Sequence, residues 1–208
     1  MKRIFTGLIL AMMVSLQACA QVELWQEGKH YEVIAEQASK TPVVKEYFSF
    51  WCPACYQYEP IVKQFKANLP EGAKFTKVQV NFMGFTSADI QDEATRAMMI
   101  GRAMKEEDKY NAAIFNYIHK QRASITSLED LKRIFVVNGA DGDKFDKLAS
   151  SFSVNSLVKR NNKNIDDFRE HVTGVPTFIV NDKFKVKFTN DMTADDRVNL
   201  VNWLAKQK

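Results

Sequence analysis

Residues 43–70 read VVKEYFSFWCPACYQYEPIVKQFKANLP, and they place two cysteines between a strand pattern and a helix pattern. The segment 43–50 is apolar, β-branched and aromatic, which is typical of a buried strand. Apolar residues then recur at helical spacing, and Pro53 suits the first helical position because its missing N–H is not needed there. Pro60 is expected to kink this helix, since it removes one internal hydrogen bond. Residues 74–82 predict a second strand, so a β-α-β unit carries the cysteines at its strand-to-helix junction.

The pattern changes on the C-terminal side of this unit. Helical spacing alone extends over about residues 87–168. Strand signals return at residues 176–180 and 183–188, separated by a turn, and predict a hairpin. A last amphipathic helix is predicted near residues 194–206. This order predicts an α/β sheet domain interrupted by an all-helical domain, with residues 21–84 and 165–208 in the sheet domain and residues 85–164 in the helical domain.

The first twenty residues, 1–20, resemble a signal peptide. Lys2 and Arg3 precede an apolar stretch, and Ala18 and Ala20 form an A-x-A cleavage pattern. Cleavage after Ala20 is therefore expected, which makes the mature protein an exported one. The run LQAC that ends at Cys19 also resembles a lipoprotein box, so a lipid anchor at Cys19 is the alternative.

Charge and cysteine content exclude several classes of protein. Without the two basic residues of the signal, 27 basic and 25 acidic residues leave a net charge of +2, which gives no electrostatic basis for binding nucleic acid. Once Cys19 is removed or lipidated, only Cys52 and Cys55 remain. A disulfide between them closes too small a loop to stabilise the fold much, and a zinc site needs about four ligands. Covalent haem attachment needs a histidine where Tyr56 stands. We therefore expect no metal and no cofactor, and interpret the pair as a redox centre.

The position of the pair suits thiol chemistry. A thiol reacts as its thiolate, and a free cysteine with a pKa of about 8.5 is mostly protonated near neutral pH. Cys52 is expected at or beside the helix N-cap, where unpaired N–H groups and the helix dipole stabilise negative charge. Cys55 lies one turn later and can attack a mixed disulfide at Cys52. We therefore predict that Cys52 is the exposed reacting sulfur and that Cys55 resolves.

Three segments together resemble the DsbA family of periplasmic dithiol oxidases: EYFSFWCPACYQYEP (46–60), KFTKVQVNFMG (74–84) and TGVPTFIVND (173–182). The resemblance covers nearly the whole mature chain. It implies a thioredoxin-like domain with an inserted all-helical domain. It also implies an enzyme that donates its disulfide to newly exported, reduced polypeptides and is reoxidised by a DsbB-like membrane protein.

The resemblance also implies roles for residues around the disulfide. In that family the proline that matches Pro176 forms a cis peptide bond facing the cysteines. Val175 and Pro176 are therefore expected to shape the site for substrate peptides, together with Pro53 and Ala54 of the motif. One position departs from the family, because DsbA enzymes typically carry a histidine where this chain has Ala54. The missing imidazole is expected to affect the oxidising power.

Glu46 interrupts the first buried strand, where an unpaired carboxylate would be costly or protonated. Two interpretations stay open. Either Glu46 faces a sheet edge or solvent, or, as the resemblance favours, it is a buried acid paired with Lys77 that moves protons to and from Cys55. Glu59, one turn beyond Cys55, is expected on a solvated helix face. The histidines are expected at the surface: His30, His119 and His171.

The leading hypothesis is thus a periplasmic protein thiol:disulfide oxidoreductase that acts as a dithiol oxidase. One alternative is a periplasmic reductase or isomerase kept reduced by another membrane protein. The absence of a dimerisation domain before the first predicted strand argues against an isomerase. We also expect a monomer. A second alternative is a redox-inactive chaperone that binds peptides beside Pro176.

Overall fold

The computed structural model describes residues 24–208, which are built around a five-stranded mixed sheet. The predicted signal peptide and Cys19 lie outside the described residues. The strand order is β1-β5-β4-β2-β3. Only β2 and β3 pair in parallel, and the other neighbours are antiparallel. The strands are β1 (Tyr31–Val33), β2 (Val43–Phe48), β3 (Lys74–Gln79), β4 (Thr177–Val180) and β5 (Phe184–Val186).

Seven helices complete the described part of the chain, and five of them lie consecutively between β3 and β4. The two outside this block are α1 (Pro53–Asn68) and α7 (Ala194–Ala205), which share a hydrophobic cluster with residues of β2, β4 and β5. The helical block consists of α2 (Ala88–Ala103), α3 (Glu107–His119), α4 (Leu128–Val137), α5 (Gly142–Ala149) and α6 (Phe152–Phe168). Of all these helices, none is long and apolar enough to span a bilayer.

Local sequence explains where several of these helices begin and end. Ser127 is the N-cap of α4, and its hydroxyl accepts from the N–H of Asp130. This helix stops before Gly139, whose positive φ of 90° is readily adopted only by glycine. The same capping chemistry opens other helices at Ser87, Asp141, Ser151 and Thr193.

The helical block has its own core and also packs on the sheet. Its buried residues form one cluster with Phe48, Phe50, Cys52 and Cys55. A second contact comes from α6, whose Ile165 packs with residues of β2, β3 and β4. The cysteines therefore lie where the helical block meets the sheet.

Two details differ from the sequence analysis. Strand β1 was not predicted; it is a three-residue edge strand in which Tyr31 pairs with Val186 of β5. Helix α6 continues to Phe168, so the boundary expected after residue 164 falls inside a helix. The division into two domains stays a prediction.

Candidate active site

Cys52 is the N-cap residue of α1, as the sequence predicts. Its backbone is extended, with φ −81° and ψ 114°, and the N–H of Cys55 donates to its Sγ at 3.1 Å. Pro53 begins the helix at a position where a backbone N–H would have no acceptor. The sulfur thus occupies the place that a serine or aspartate oxygen takes at other helix starts.

The prediction that Cys52 is exposed is wrong for this conformation, because the residue is only 3% exposed. Its Sγ lies 3.5 Å from the carbonyl oxygen of Val175. The peptide bond between Val175 and Pro176 is cis, as the resemblance implies, and it immediately precedes β4. The structure therefore brings Val175 against the reactive sulfur, while Pro53 and Ala54 are exposed beside it.

The two thiols have very different acidities. The pKa of Cys52 is lowered to about 7, chiefly by the hydrogen bond from the Cys55 side chain. Burial opposes this effect, and the backbone N–H groups of Cys55 and Ala54 support it. In contrast, burial raises the pKa of the Cys55 thiol far above its ordinary value, and the hydrogen bond to Cys52 adds to the rise. Near neutral pH, a large fraction of Cys52 is therefore thiolate, while Cys55 keeps its proton.

A buried ion pair lies in the two parallel strands beneath the cysteines. Glu46 of β2 is directly opposite Lys77 of β3, and the two residues are 0% and 2% exposed. Lys77 Nζ lies 2.6 Å from Glu46 Oε2 and 2.6 Å from Glu59 Oε1. The interpretation that Glu46 faces solvent or a sheet edge is therefore wrong, and the pairing implied by the resemblance is present. The surface position expected for Glu59 is also wrong, since its carboxylate turns inward to Lys77.

Burial, together with the second carboxylate on the same ammonium, makes Glu46 a proton-accepting group. Burial raises the pKa of Glu46, the charge of Lys77 opposes this rise, and the charge of Glu59 adds to it. Burial alone would lower the pKa of Lys77, but Glu46 and Glu59 outweigh burial and raise it. The ammonium therefore stays charged, while Glu46 protonates more readily than an ordinary carboxyl. Glu46 Oε1 is buried with no hydrogen-bond partner among residues 24–208. The charge of Glu46 also raises the pKa of both cysteines.

The expectation that all three histidines lie at the surface is wrong for His30. His30 is buried at 7% exposure, and His119 and His171 are half-buried. His119 lies close to the redox centre, with its Nε2 2.8 Å from the carbonyl oxygen of Phe50. Within residues 24–208 there is no cluster of three histidine, cysteine or acidic side chains arranged to hold a metal.

The comparisons with known sequences agree with this geometry. Residues 43–197 match the model of the DSBA-like thioredoxin domain. The thiol:disulfide interchange protein DsbA of Escherichia coli K12 is 36% identical over 192 residues, which cover 89% of this chain and 86% of that protein. DsbA of Haemophilus influenzae is 35% identical over 189 residues, covering 89% and 88%.

Solved structures confirm the predicted fold class, a thioredoxin-like domain with an inserted helical domain. A Proteus mirabilis DsbA with a non-covalently bound peptide has a TM-score of 0.76 at 29% identity, covering 88% of this chain and 99% of that one. DsbA from Klebsiella pneumoniae has a TM-score of 0.77 at 25% identity, covering 88% and 98%. With a cysteine pair at a helix start beside a cis-proline, and relatives of this similarity over most of its length, the chain belongs to the DSBA-like thioredoxin domain family and is a thiol:disulfide oxidoreductase.

Proposed function

We propose that this oxidoreductase works in the periplasm as a dithiol oxidase that donates the Cys52–Cys55 disulfide to reduced, newly exported polypeptides. A substrate thiolate attacks Cys52 Sγ, the bond between Cys52 and Cys55 breaks, and Cys55 leaves with the electron pair. A second substrate thiolate then attacks the mixed disulfide. This step releases an oxidised substrate and the Cys52 thiolate, so the enzyme ends with two more electrons. A DsbB-like membrane protein would remove them.

The observation that carries this proposal is the cysteine pair at the start of α1, where the N–H of Cys55 donates to Cys52 Sγ at 3.1 Å and the pKa of Cys52 is lowered to about 7. Stabilising the thiolate stabilises the reduced protein relative to the disulfide. A dithiol whose reduced form is stabilised is a strong oxidant. A reactive thiolate beside Cys55 argues against a redox-inactive chaperone. Because dithiol reductases also carry cysteines with a pKa of about 7, the preference for an oxidase rests on the similarity to the DsbA proteins.

Glu46, paired with Lys77, is proposed to move protons to and from Cys55. When Cys55 leaves as a thiolate, its negative charge is buried. Burial makes that charge costly and so raises the pKa of Cys55, which means that the thiolate readily takes up a proton. Glu46 holds a proton more readily than an ordinary carboxyl and can supply it. Glu59 contacts the same ammonium and its side chain is 21% exposed, so the cluster also reaches toward solvent.

The substrate peptide is proposed to bind across Val175, Pro176, Pro53 and Ala54. Support comes from the contact between Cys52 and the carbonyl of Val175. The Proteus mirabilis relative with a bound peptide indicates the same kind of substrate. We expect the protein to act as a monomer.

The reduction potential in a glutathione buffer tests the proposed direction of electron flow. We expect a value closer to the oxidising end of the scale, about −120 mV, than to about −270 mV, where dithiol reductases lie. A value near the reducing end would replace the oxidase with a reductase. No exchange with glutathione at all would favour the chaperone.

Ala54→His is expected to make the protein a stronger oxidant. Ala54 is exposed in the first turn of α1, and its N–H already helps to lower the pKa of Cys52. An imidazole there can donate to the thiolate or attract it when protonated, and the uncharged disulfide gains much less. A tenfold change in the redox equilibrium corresponds to about 30 mV, so we expect a rise of tens of millivolts. The pKa of Cys52 should fall by about one unit at the same time.

Ala54→Leu is the matched control, because it adds bulk at the same exposed position without a donor or a charge. It should leave the potential and the pKa of Cys52 near their original values. Should the pKa fall in Ala54→His while the potential stays fixed, thiolate stabilisation does not control the oxidising power.

A further inference from the structure

His119 and Asn116, one turn apart on α3, contact residues that flank the CPAC motif, residues 52–55. His119 Nε2 lies 2.8 Å from the carbonyl oxygen of Phe50, two residues before the first cysteine. The rings of His119 and Tyr56, the residue after the second cysteine, are stacked with centroids 4.9 Å apart and planes within 4°. The Tyr56 hydroxyl donates to Asn116 Oδ1 at 3.3 Å. The helical block thus holds the redox motif from both ends.

The contact to Phe50 is a hydrogen bond with a defined direction. A carbonyl oxygen only accepts, so Nε2 of His119 carries the hydrogen and donates it. Phe50 is fully buried and lies beyond the end of β2. Its N–H donates to the side chain of Gln79 at 3.1 Å. Both hydrogen-bonding groups of this residue therefore depend on side chains from other elements. A buried carbonyl that loses its donor is costly, so the segment would move if the imidazole were removed.

Such a movement would reach Cys52 directly. The N–H of Cys52 donates to the carbonyl of Ser49 at 3.0 Å, which makes residues 49–52 a tight turn that includes Phe50. The same turn sets the position of Sγ, which accepts from the N–H of Cys55 at 3.1 Å. Hydrogen bonds weaken steeply as their distance and angle depart from the ideal.

We infer that His119 is a positioning residue for the Cys52 thiolate: its hydrogen bond to Phe50 holds the turn in which the sulfur accepts the first N–H groups of α1. The inference rests on the proposed role of Cys52 as the reacting thiol. The helical block would then influence the redox properties of the cysteine motif, although the motif lies outside that block.

Two substitutions separate the hydrogen bond from the ring. His119→Phe keeps an aromatic ring to stack on Tyr56 but removes the donor, whereas His119→Gln keeps an N–H donor. We expect His119→Phe to raise the pKa of Cys52 by about half a unit to one unit. The glutathione equilibrium should shift about threefold to tenfold toward the oxidised protein, tenfold being about 30 mV less oxidising. His119→Gln should stay near the original protein in both, measured by the ultraviolet absorbance of the thiolate and by redox titration.

His30→Gln is the control for general damage to the core. His30 is buried, accepts from the N–H of Gln26 at 2.9 Å, and packs against Trp25 in a different hydrophobic cluster from Cys52. It should lower the melting temperature without changing the pKa of Cys52 or the potential.

The outcomes distinguish this inference from the proposed function. If His119→Phe lowers the melting temperature but leaves the pKa of Cys52 and the potential unchanged, the role of His119 is only structural and the inference is wrong. It is also wrong if His119→Gln shifts both quantities as far as His119→Phe. If Cys52 of the unsubstituted protein titrates as an ordinary thiol, the proposed function itself fails.

Discussion

Cys52→Ser is expected to reduce the oxidation of a reduced, unfolded substrate to the rate measured without enzyme. A serine oxygen cannot form the disulfide that the substrate attacks, and Cys55 is fully buried with a strongly raised pKa, so it cannot take over. Cys55→Ser should also lose turnover, but for a different reason. In that variant the serine hydroxyl can donate in place of the Cys55 thiol and the N–H groups at the start of α1 remain, so Cys52 can still form mixed disulfides that no resolving thiol removes.

Non-reducing gels of both variants after reaction with a disulfide-containing partner provide the measurement. Only Cys55→Ser should show a band of higher mass that disappears with a reductant. Equal trapping in both variants, or equal residual turnover, would mean that the roles of the two cysteines are misassigned. The double serine variant gives the background for both assays.

Lys77→Met is expected to lower the free energy of unfolding by about 3–5 kcal/mol at neutral pH, because it leaves a fully buried carboxylate without its ammonium. The loss should depend on pH. Burial already raises the pKa of Glu46 above the ordinary value of 4.5, and removal of the lysine raises it further. A raised pKa in the folded state means that the folded protein binds more protons than the unfolded one, so stability falls as pH rises. The deficit should therefore be smallest below pH 4.5, where Glu46 is protonated in both states, and should grow toward neutral pH. Denaturant titrations at a series of pH values measure it.

The double variant Glu46→Leu, Lys77→Met is the matched control. Replacing both charges with apolar groups is often neutral or stabilising, and Glu59 is exposed enough to return to water. Stability should therefore be largely recovered and should lose the dependence on pH seen in the single variant. If the proposed proton role is right, this folded variant should still react more slowly with reduced substrate. If the double variant reacts as fast as the original protein at every pH from acidic to mildly alkaline, that role is wrong.

Local sequence patterns predicted those parts of the site whose interactions lie within one short segment. The apolar run before Cys52, the proline after it and the helical spacing beyond Cys55 all lie within residues 43–70. These residues act on each other through the backbone, so the sequence order already gives their geometry. The helices of the inserted block were visible for the same reason, since each carries its own spacing and often its own N-cap.

Several of the misplaced side chains depend on partners outside their own helix or strand. Glu59 has the spacing of a solvated helix face, and only the side-by-side packing of α1 and β3 shows that it pairs with Lys77. His119 gives no sign in its own helix that its acceptor is the carbonyl of Phe50. Strand β1 has three residues, too few to display an alternating pattern, and it forms because β5 offers an edge. The burial of Cys52 was not predicted, because its contact with Val175 joins residues on either side of the helical block in the sequence.

The strand order has a consequence for how this chain can acquire its structure. β2 pairs with β4 through partners such as Val44 and Val180, which lie near opposite ends of the chain. Such non-local contacts form late, because a long loop must close before they are gained, whereas the five inserted helices depend on contacts much closer in sequence. If the chain is exported from its N-terminus, as proposed, Cys52 crosses the membrane long before β4. During that interval β2 has an open edge, which is a site for wrong pairing, and the sulfur lacks the contact that Val175 later makes. Under the proposed function, this protein would therefore enter the periplasm with Cys52 exposed, as a substrate thiol for the same kind of enzyme.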